Sequence, residues 1–480
     1  MRANQTAALV WFRRDLRLTD NPALAAAVDH GGPVICVFVL DEGEGGRPLG
    51  GASRWWLDKS LRALAKDIEA LGGRLILRRG EASVQILTLA RETGAGLVTW
   101  NRLYDPPLVE RDTALKQALK DDGVEVCSFN ASLLSEPWTV RTGAGQPFKV
   151  FTPYWRAARD RIEVADPVSP PRALKSPAHW PASEPLSHWG LHPQKPDWSH
   201  GFKVWTPGEA GAHDRLEHFL DHGLAGYADH RDLPGEDATS RLSPHLHWGE
   251  IGPRQVWRRV QAHAKGRSGA GVEVFLSELG WREFNHQLLF HNQDLARVNV
   301  RRAFDAFPWR TDRRSLRAWR RGRTGYPLVD AGLRELWATG FMHNRVRMVV
   351  ASFLIKHLLL DWREGERWFW DTLVDADLAN NAANWQWTAG SGADAAPFFR
   401  IFNPIAQGEK FDPKGVYVRR WVPELAGLPD KVLHAPWTAD AAVLKQAGVE
   451  LGRTYPKPIV DHARARQRAL DALQALRTAD

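Results

Sequence analysis

The stretch DADLANNAANWQWTAG, Asp375–Gly390, holds two aspartates, three asparagines and two tryptophans but no lysine, arginine or glutamate. A solvated helix face carries charges of both signs, and buried amides and carboxylates destabilise a fold unless they find hydrogen-bond partners. Something rich in donors and acceptors should therefore lie against this stretch. A second cluster, Thr239, Ser240, Arg241 and Ser243, stands just before a helical segment. Hydroxyls and exposed backbone N–H groups at a helix start make an anion cradle, and an arginine adds charge. An ordinary N-cap would need one hydroxyl, not three with an arginine. ELGWREF places Glu278, Trp281 and Arg282 on one helix face, which by spacing alone reads as a Glu–Arg surface pair beside a half-buried tryptophan. GFMHNRVRM sets His343 beside Asn344, with Arg347 and Met348 a turn later; a lone histidine there reads as a satisfied core group. Arg297–Arg323 carries ten arginines against two aspartates, with Trp309 and Trp319 among them. That imbalance is too one-sided for intrachain pairing, and arginine suits phosphate contacts, so a phosphate-backbone surface is expected. Together, a planar cofactor with a pyrophosphate would satisfy the cradle and the amide-rich stretch. A nucleic acid would satisfy the tryptophans and the basic flank.

These residues need a scaffold, and 480 residues suffice for more than one core. Hydrophobic and charged contents of 44% and 25% are those of a soluble globular chain, while 23 tryptophans and a net charge of +8 favour an anionic partner. Cys36 and Cys127 are the only cysteines, which excludes a disulfide framework and fits a reducing cytoplasm. Cys36, inside the apolar VICVFVL, reads as a small buried hydrophobe. The first residues lack a signal-peptide core, and MVVASFLI is broken at Lys356 and His357, so a cytoplasmic protein without membrane spans is expected.

Residues 1–135 alternate short β-branched runs with helical patterns. Ala7–Trp11, Val34–Leu40, Arg74–Arg78 and Gly96–Trp100 read as buried strands, and Ser53–Leu71 and Ser83–Thr93 as amphipathic helices. That predicts a doubly wound, Rossmann-like parallel α/β domain. FRRDLRLTDNP follows the first strand in place of a glycine-rich turn, so a nicotinamide dinucleotide site is not supported. Residues 136–206 read as a connector, with nine prolines between Asp166 and Pro207. Residues 207–480 carry three- and four-residue apolar spacing throughout, a larger all-α domain that closes on a helix over Ile459–Arg477.

Six fragments in order, VWFRRDLRLTDNPAL, TSRLSPHL, ELGWREF, GFMHNRVRMVVASFLIK, DADLANNAANWQW and APFFRIFNPIAQGEKFDP, resemble the photolyase/cryptochrome family, closest to class I-type photolyases of cyclobutane pyrimidine dimers. The resemblance implies an antenna-chromophore domain followed by a helical domain that binds FAD and DNA. It implies that Tyr227, Thr239, Ser240, Arg241, Leu242, Ser243, Phe275, Arg347, Asp375, Ala376, Asp377 and Asn381 hold FAD, with Asn381 beside the flavin N5. Trp385, Trp362 and Trp309 match the family's electron-carrying tryptophans. Arg231, Glu278, Trp281, Arg282, Asn344, Arg345, Met348, Trp387 and Gln407 match positions that contact DNA or a flipped-out dimer, Trp281 and Trp387 as its aromatic walls and Glu278 as a catalytic proton donor if buried and neutral.

The implied activity is light-driven dimer repair by a monomer acting on damaged DNA, with no metal. The alternative is a cryptochrome-type photoreceptor that signals through a partner; retention of Glu278, Trp281 and Trp387 favours repair. Asn344 stands where (6-4) enzymes carry a second histidine, and two cysteines are too few for the iron–sulfur branch. YDPPLVERD, Tyr104–Asp112, has Pro107 and Leu108 where folate-binding members have an Asn–Glu pair. That leaves a second, antenna chromophore open between methenyltetrahydrofolate and a deazaflavin.

Overall fold

The structure, a computed structural model, describes residues 6–478 except 42, 44–45, 266–268 and 395–398. Positions 396–398 of the last family-like fragment therefore lie outside the described residues. Five strands, β1 (Ala7–Phe12), β2 (Val34–Asp41), β3 (Leu75–Gly80), β4 (Ala95–Asn101) and β5 (Glu125–Phe129), form one parallel sheet in the order β3-β2-β1-β4-β5. Strands buried on both faces read as continuous apolar runs, and β1 has all six residues buried. The sequence indicated four of these strands. β5 escaped because EVCSF is an edge strand with only Val126 buried. Of the helices α1 (Pro22–Asp29), α2 (Gly51–Ala70), α3 (Ala82–Thr93) and α4 (Pro106–Asp121), the second and third were expected. α1 is short and alanine-rich, and it is set by its Asn21 cap, which accepts from Leu24 N at 3.1 Å.

The loop after β1 is fixed by buried charge instead of glycines. Arg13 donates to Asp112 and to the Asn101 carbonyl. Asp15 accepts from Arg13 N at 2.5 Å and from Asn101 Nδ2 at 2.6 Å. Arg17 donates to the carbonyls of Gly249, Asp20 and Ala131 at 2.9, 2.7 and 2.9 Å. A fully buried guanidinium is tolerated only when its donors are matched this way. Cys36 is buried, which pushes its thiol up to about 12.

The proline-rich segment packs on the sheet domain through Leu174 N to Leu71 O and Glu184 N to Leu77 O, at 2.8 and 2.9 Å. It is preceded by α5 (Phe151–Arg159). The helices that follow are α6 (Glu209–His222), α7 (Tyr227–His230), α8 (Ser243–Trp248), α9 (Pro253–Ala264), α10 (Ala270–His291), α11 (Arg313–Arg320), α12 (Pro327–Thr339), α13 (Asn344–Ser352), α14 (Trp362–Thr372), α15 (Leu378–Ala389), α16 (Pro404–Phe411) and α17 (Val416–Trp421). The chain closes on His462–Thr478, near the expected Ile459–Arg477.

Two compact units result, and they interleave along the chain. The first takes the residues up to Trp198, Lys203–His222 and Ser240–Gln293; the second takes Ser199–Phe202, Gly223–Thr239 and the chain from Asp294 onward. In the first unit α10 is anchored by Glu283, whose Oε2 accepts from Ser135 N at 3.0 Å while Oε1, without a hydrogen bond among the described residues, lies 3.8 Å from the Arg282 guanidinium. Burial raises this carboxyl to about 7, against a smaller opposing pull from Arg282.

A folded-state value above the unfolded one means that stability is fully present below about pH 4.5 and declines as pH rises through 7. The decline should total about 3 kcal/mol, at 1.36 kcal/mol per unit. Urea unfolding of Glu283→Gln at acid and alkaline pH should lose most of this slope, whereas an unchanged slope would mean that Glu283 is not its source.

Candidate functional site: two sets of side chains

The first unit supplies the 240–243 turn and one face of α10. Arg241 sits at φ +50, a left-handed conformation uncommon for a side-chain-bearing residue, and α8 begins directly after it with Pro244 in its first turn. The Ser240 carbonyl is held by Arg215 Nε at 2.9 Å. Within the turn, Leu242 N lies 3.4 Å from Ser240 Oγ.

On α10, Phe275 is buried at 4.6 Å from the Phe219 ring, and Glu278 and Trp281 are half-buried. Trp281 stacks on Phe151 with centroids 3.7 Å apart and planes 11° apart. One indole face is therefore committed to Phe151. Gly280 allows the close approach of this aromatic group, since a Cβ there would meet Trp155 at 2.4 Å. Arg282 turns to the Ser132 carbonyl. Two of the three acids of Tyr104–Asp112 are engaged within the unit, Asp105 by Arg14 at 2.7 Å and Asp112 by Arg13 and Arg111.

The second unit holds the amide-rich stretch, whose carboxylates and Asn381 are paired inside the protein. Arg347 pairs with the buried Asp375 through two contacts of 3.2 and 2.8 Å, and its Nε reaches the Met342 carbonyl at 2.7 Å. Ala376 is buried. Asp377 caps α15, accepting from Asn380 N and Nδ2 at 2.8 and 2.7 Å. Asn381 Nδ2 donates to the carbonyl and Oε1 of the buried Glu366, at 3.0 and 2.8 Å. Both of its hydrogens are spent, so only the Oδ1 acceptor remains to meet a ligand N–H. Sequence reasoning missed Glu366 as the partner of Asn381; two residues before the WFW run, it reads as a solvated helix charge.

Around this stretch, Tyr227 is buried with Arg231 over its ring at 5.3 Å. Arg345 pairs with Asp232 and lies over the Phe411 ring at 4.4 Å. Asn344 is exposed at the start of α13, Met348 and Trp387 are half-buried, and Gln407 has a buried Oε1 with no partner among the described residues. Thr239 closes this unit's middle segment. His343 is the core group its setting suggested: it is buried, and its Nδ1 accepts from Arg345 N at 3.2 Å.

Trp385 and Trp362 are buried in one apolar cluster, and Trp309 packs against it from a half-exposed position. Trp362 Nε1 donates to Asn299 Oδ1 at 2.9 Å. Trp385 is edge-on to Phe369 and Trp319, at 5.0 and 6.4 Å. Its close seat against α14 requires Gly365, where a Cβ would meet the indole at 2.0 Å. Trp319, fully buried beside Trp385, was read in sequence only as part of the arginine-rich run.

The chain thus joins a parallel five-stranded sheet to a helical unit in which Arg347 holds Asp375 and Glu366 holds Asn381. Two family models match the chain, one described as DNA photolyase over residues 8–174 and one as the FAD binding domain of DNA photolyase over residues 275–475. The chain is 56% identical over 470 residues to a deoxyribodipyrimidine photo-lyase of Agrobacterium fabrum, covering 98% of each. It superposes on the crystal structure of a bacterial class III photolyase from Agrobacterium tumefaciens with a TM-score of 0.97 at 55% identity, covering 100% of this chain and 99% of that one. Cryptochrome-2 of Arabidopsis thaliana is more distant, 42% identical over 98% of this chain and 79% of its own length. The chain belongs to the DNA photolyase family, and FAD is its cofactor. The Agrobacterium tumefaciens structure is that of a class III photolyase, where the motifs had suggested the class I type for this chain.

Removing one partner of a buried ion pair leaves an uncompensated charge. Arg347→Met should therefore bind FAD at least about tenfold more weakly, equivalent to about 1.4 kcal/mol, measured by flavin retained through dialysis. Retention equal to the parent protein would remove the Arg347–Asp375 pair from the binding account.

Proposed function

We propose that the protein is a deoxyribodipyrimidine photolyase that splits cyclobutane pyrimidine dimers in DNA under near-ultraviolet or blue light. One observation carries this reading. In a chain more than half identical along its whole length to photolyases, Asn381 of the amide-rich stretch commits its Nδ2 to Glu366, which leaves Oδ1 as the side of the amide that a ligand could meet. FAD, when bound and reduced, supplies the light-excited electron that opens the cyclobutane ring and takes it back afterwards.

The protein's own groups do the rest. Tyr227 and Thr239–Ser243 would hold the phosphates. Phe275, Ala376 and Asp377 would bound the cofactor, and Arg347 would fix Asp375 towards it. Trp281, braced from behind by Phe151, and Trp387 would wall the flipped-out dimer, whose extrusion costs a few kcal/mol that stacking partly offsets. Glu278 and Asn344 would hydrogen-bond the lesion bases, and Met348 would pack on them. Arg231, Arg345 and Gln407 would meet the flanking strand. Arg282 would act from behind, positioning α10 through Ser132. Trp385, Trp362 and Trp309 would conduct an electron from the surface, the first two sheltered and the last half-exposed.

The same reading assigns an antenna-chromophore domain to 1–135, a connector to 136–206 and the FAD- and DNA-binding domain to 207–480. It assigns monomeric action in the cytoplasm, where the free thiols of Cys36 and Cys127 stay reduced. An antenna chromophore, methenyltetrahydrofolate or a deazaflavin, remains part of the reading. The subclass follows the class III relative.

Illumination of the flavin-loaded protein with dimer-containing oligothymidylate should restore thymine absorbance, and darkness should not. Trp281→Ala should weaken dimer binding by about 1–3 kcal/mol, the value of one base–aromatic stack. Absence of light-dependent recovery in the parent protein would overturn the assignment.

A further inference from the structure

The arginine-rich run forms a feature of which the repair reading uses only Trp309. Within the second unit, α11, α12 and α14 border a groove of about 1100 Å³ that shares no residue with the proposed lesion-binding set. Arg313, Arg317 and Arg321 recur every four residues along one wall, a row about 12 Å long at 1.5 Å rise per residue. All three are exposed, and none has an ionic partner among the described residues. The groove's acids are already engaged: Asp312 caps α11 through Ser315 at 2.9 Å, Asp361 pairs with Arg363 at 2.9 Å, and Glu364 takes Arg320 at 3.1 Å and also Arg367. Nor does helix stability explain the charges, since Arg313 and Arg314 stand in the first turn of α11, where the helix dipole disfavours cations.

The facing wall is aromatic. Trp337, 57% exposed, stacks on Trp368 with planes 3° apart and centroids 5.9 Å apart, and Arg320 lies over Trp368 at 5.2 Å. Trp368 Nε1 and Arg320 Nε are buried donors with no partner among the described residues. An acceptor brought by a ligand would satisfy donors whose isolation is costly.

A row of unpaired cations tracking one wall and flat indoles on the other is the combination that takes phosphates along a backbone and bases on a stacking platform. A base pair buries its faces in the stack, so a duplex cannot offer Trp337 what an unpaired base can. We propose that this groove binds a short run of single-stranded nucleic acid without sequence preference, with its phosphates on Arg313, Arg317 and Arg321 and a base on Trp337.

Fluorescence anisotropy of the full-length, FAD-loaded protein with labelled, undamaged oligothymidylate tests this, in the parent and in a Trp281→Ala background that weakens the dimer pocket. In both backgrounds Arg317→Gln with Arg321→Gln should bind about tenfold more weakly at moderate salt. The slope of log affinity against log salt should also fall by about 1.4, at roughly 0.7 per lost single-strand phosphate contact. Trp337→Ala should lose about 5- to 100-fold, the equivalent of one base stack. Both variants should retain FAD and dimer repair. Unchanged affinity and slope would overturn the proposal, as would thymidine monophosphate competing as well as the strand at equal nucleotide concentration.

Discussion

The helical unit rests on one constraint: a buried carboxylate or amide must have its partner inside the protein, or the fold loses kilocalories for each one left alone. Glu366 meets that demand for Asn381, Arg347 meets it for Asp375, and the N-terminus of α15 meets it for Asp377. These contacts tie together α13, α14 and α15, the helices that carry most of the second unit's proposed site. They also fix polarity, because an asparagine whose hydrogens are both spent can present only an acceptor.

The first unit solves a related problem with charge. Where many doubly wound domains place glycines after the first strand, this one buries Arg13, Asp15 and Arg17 in a network that reaches Asn101, Ala131 and Gly249. Burial of an arginine is tolerated because carbonyls spread in three directions match its fork. The loop is thereby locked, and α10 presents Glu278 and Trp281 from a helix that is itself pinned by Glu283 and backed by Phe151.

Much of this was legible in the sequence. The central strands, the switch to helical periodicity and the six motif fragments all follow from residue order, as does the core role of His343. What stayed hidden depends on contacts between residues far apart in the chain. Glu366 looks like a solvated helix charge until Asn381 is brought against it. Trp281 looks like a two-sided stacking residue until Phe151 covers one face. β5 lacks the apolar run that marks a buried strand, and α1 is too short to show its period. The arginine run raised the expectation of a phosphate-backbone surface, but only the fold separates its partnered members from the row along α11.

The most direct measurement is flavin stoichiometry: purify the full chain, denature it, and measure FAD released per polypeptide. The account predicts one FAD per chain, bound without covalent attachment. A colourless protein that takes up no FAD on reconstitution would contradict it, because the open acceptor of Asn381 and the Arg347–Asp375 pair would then face nothing.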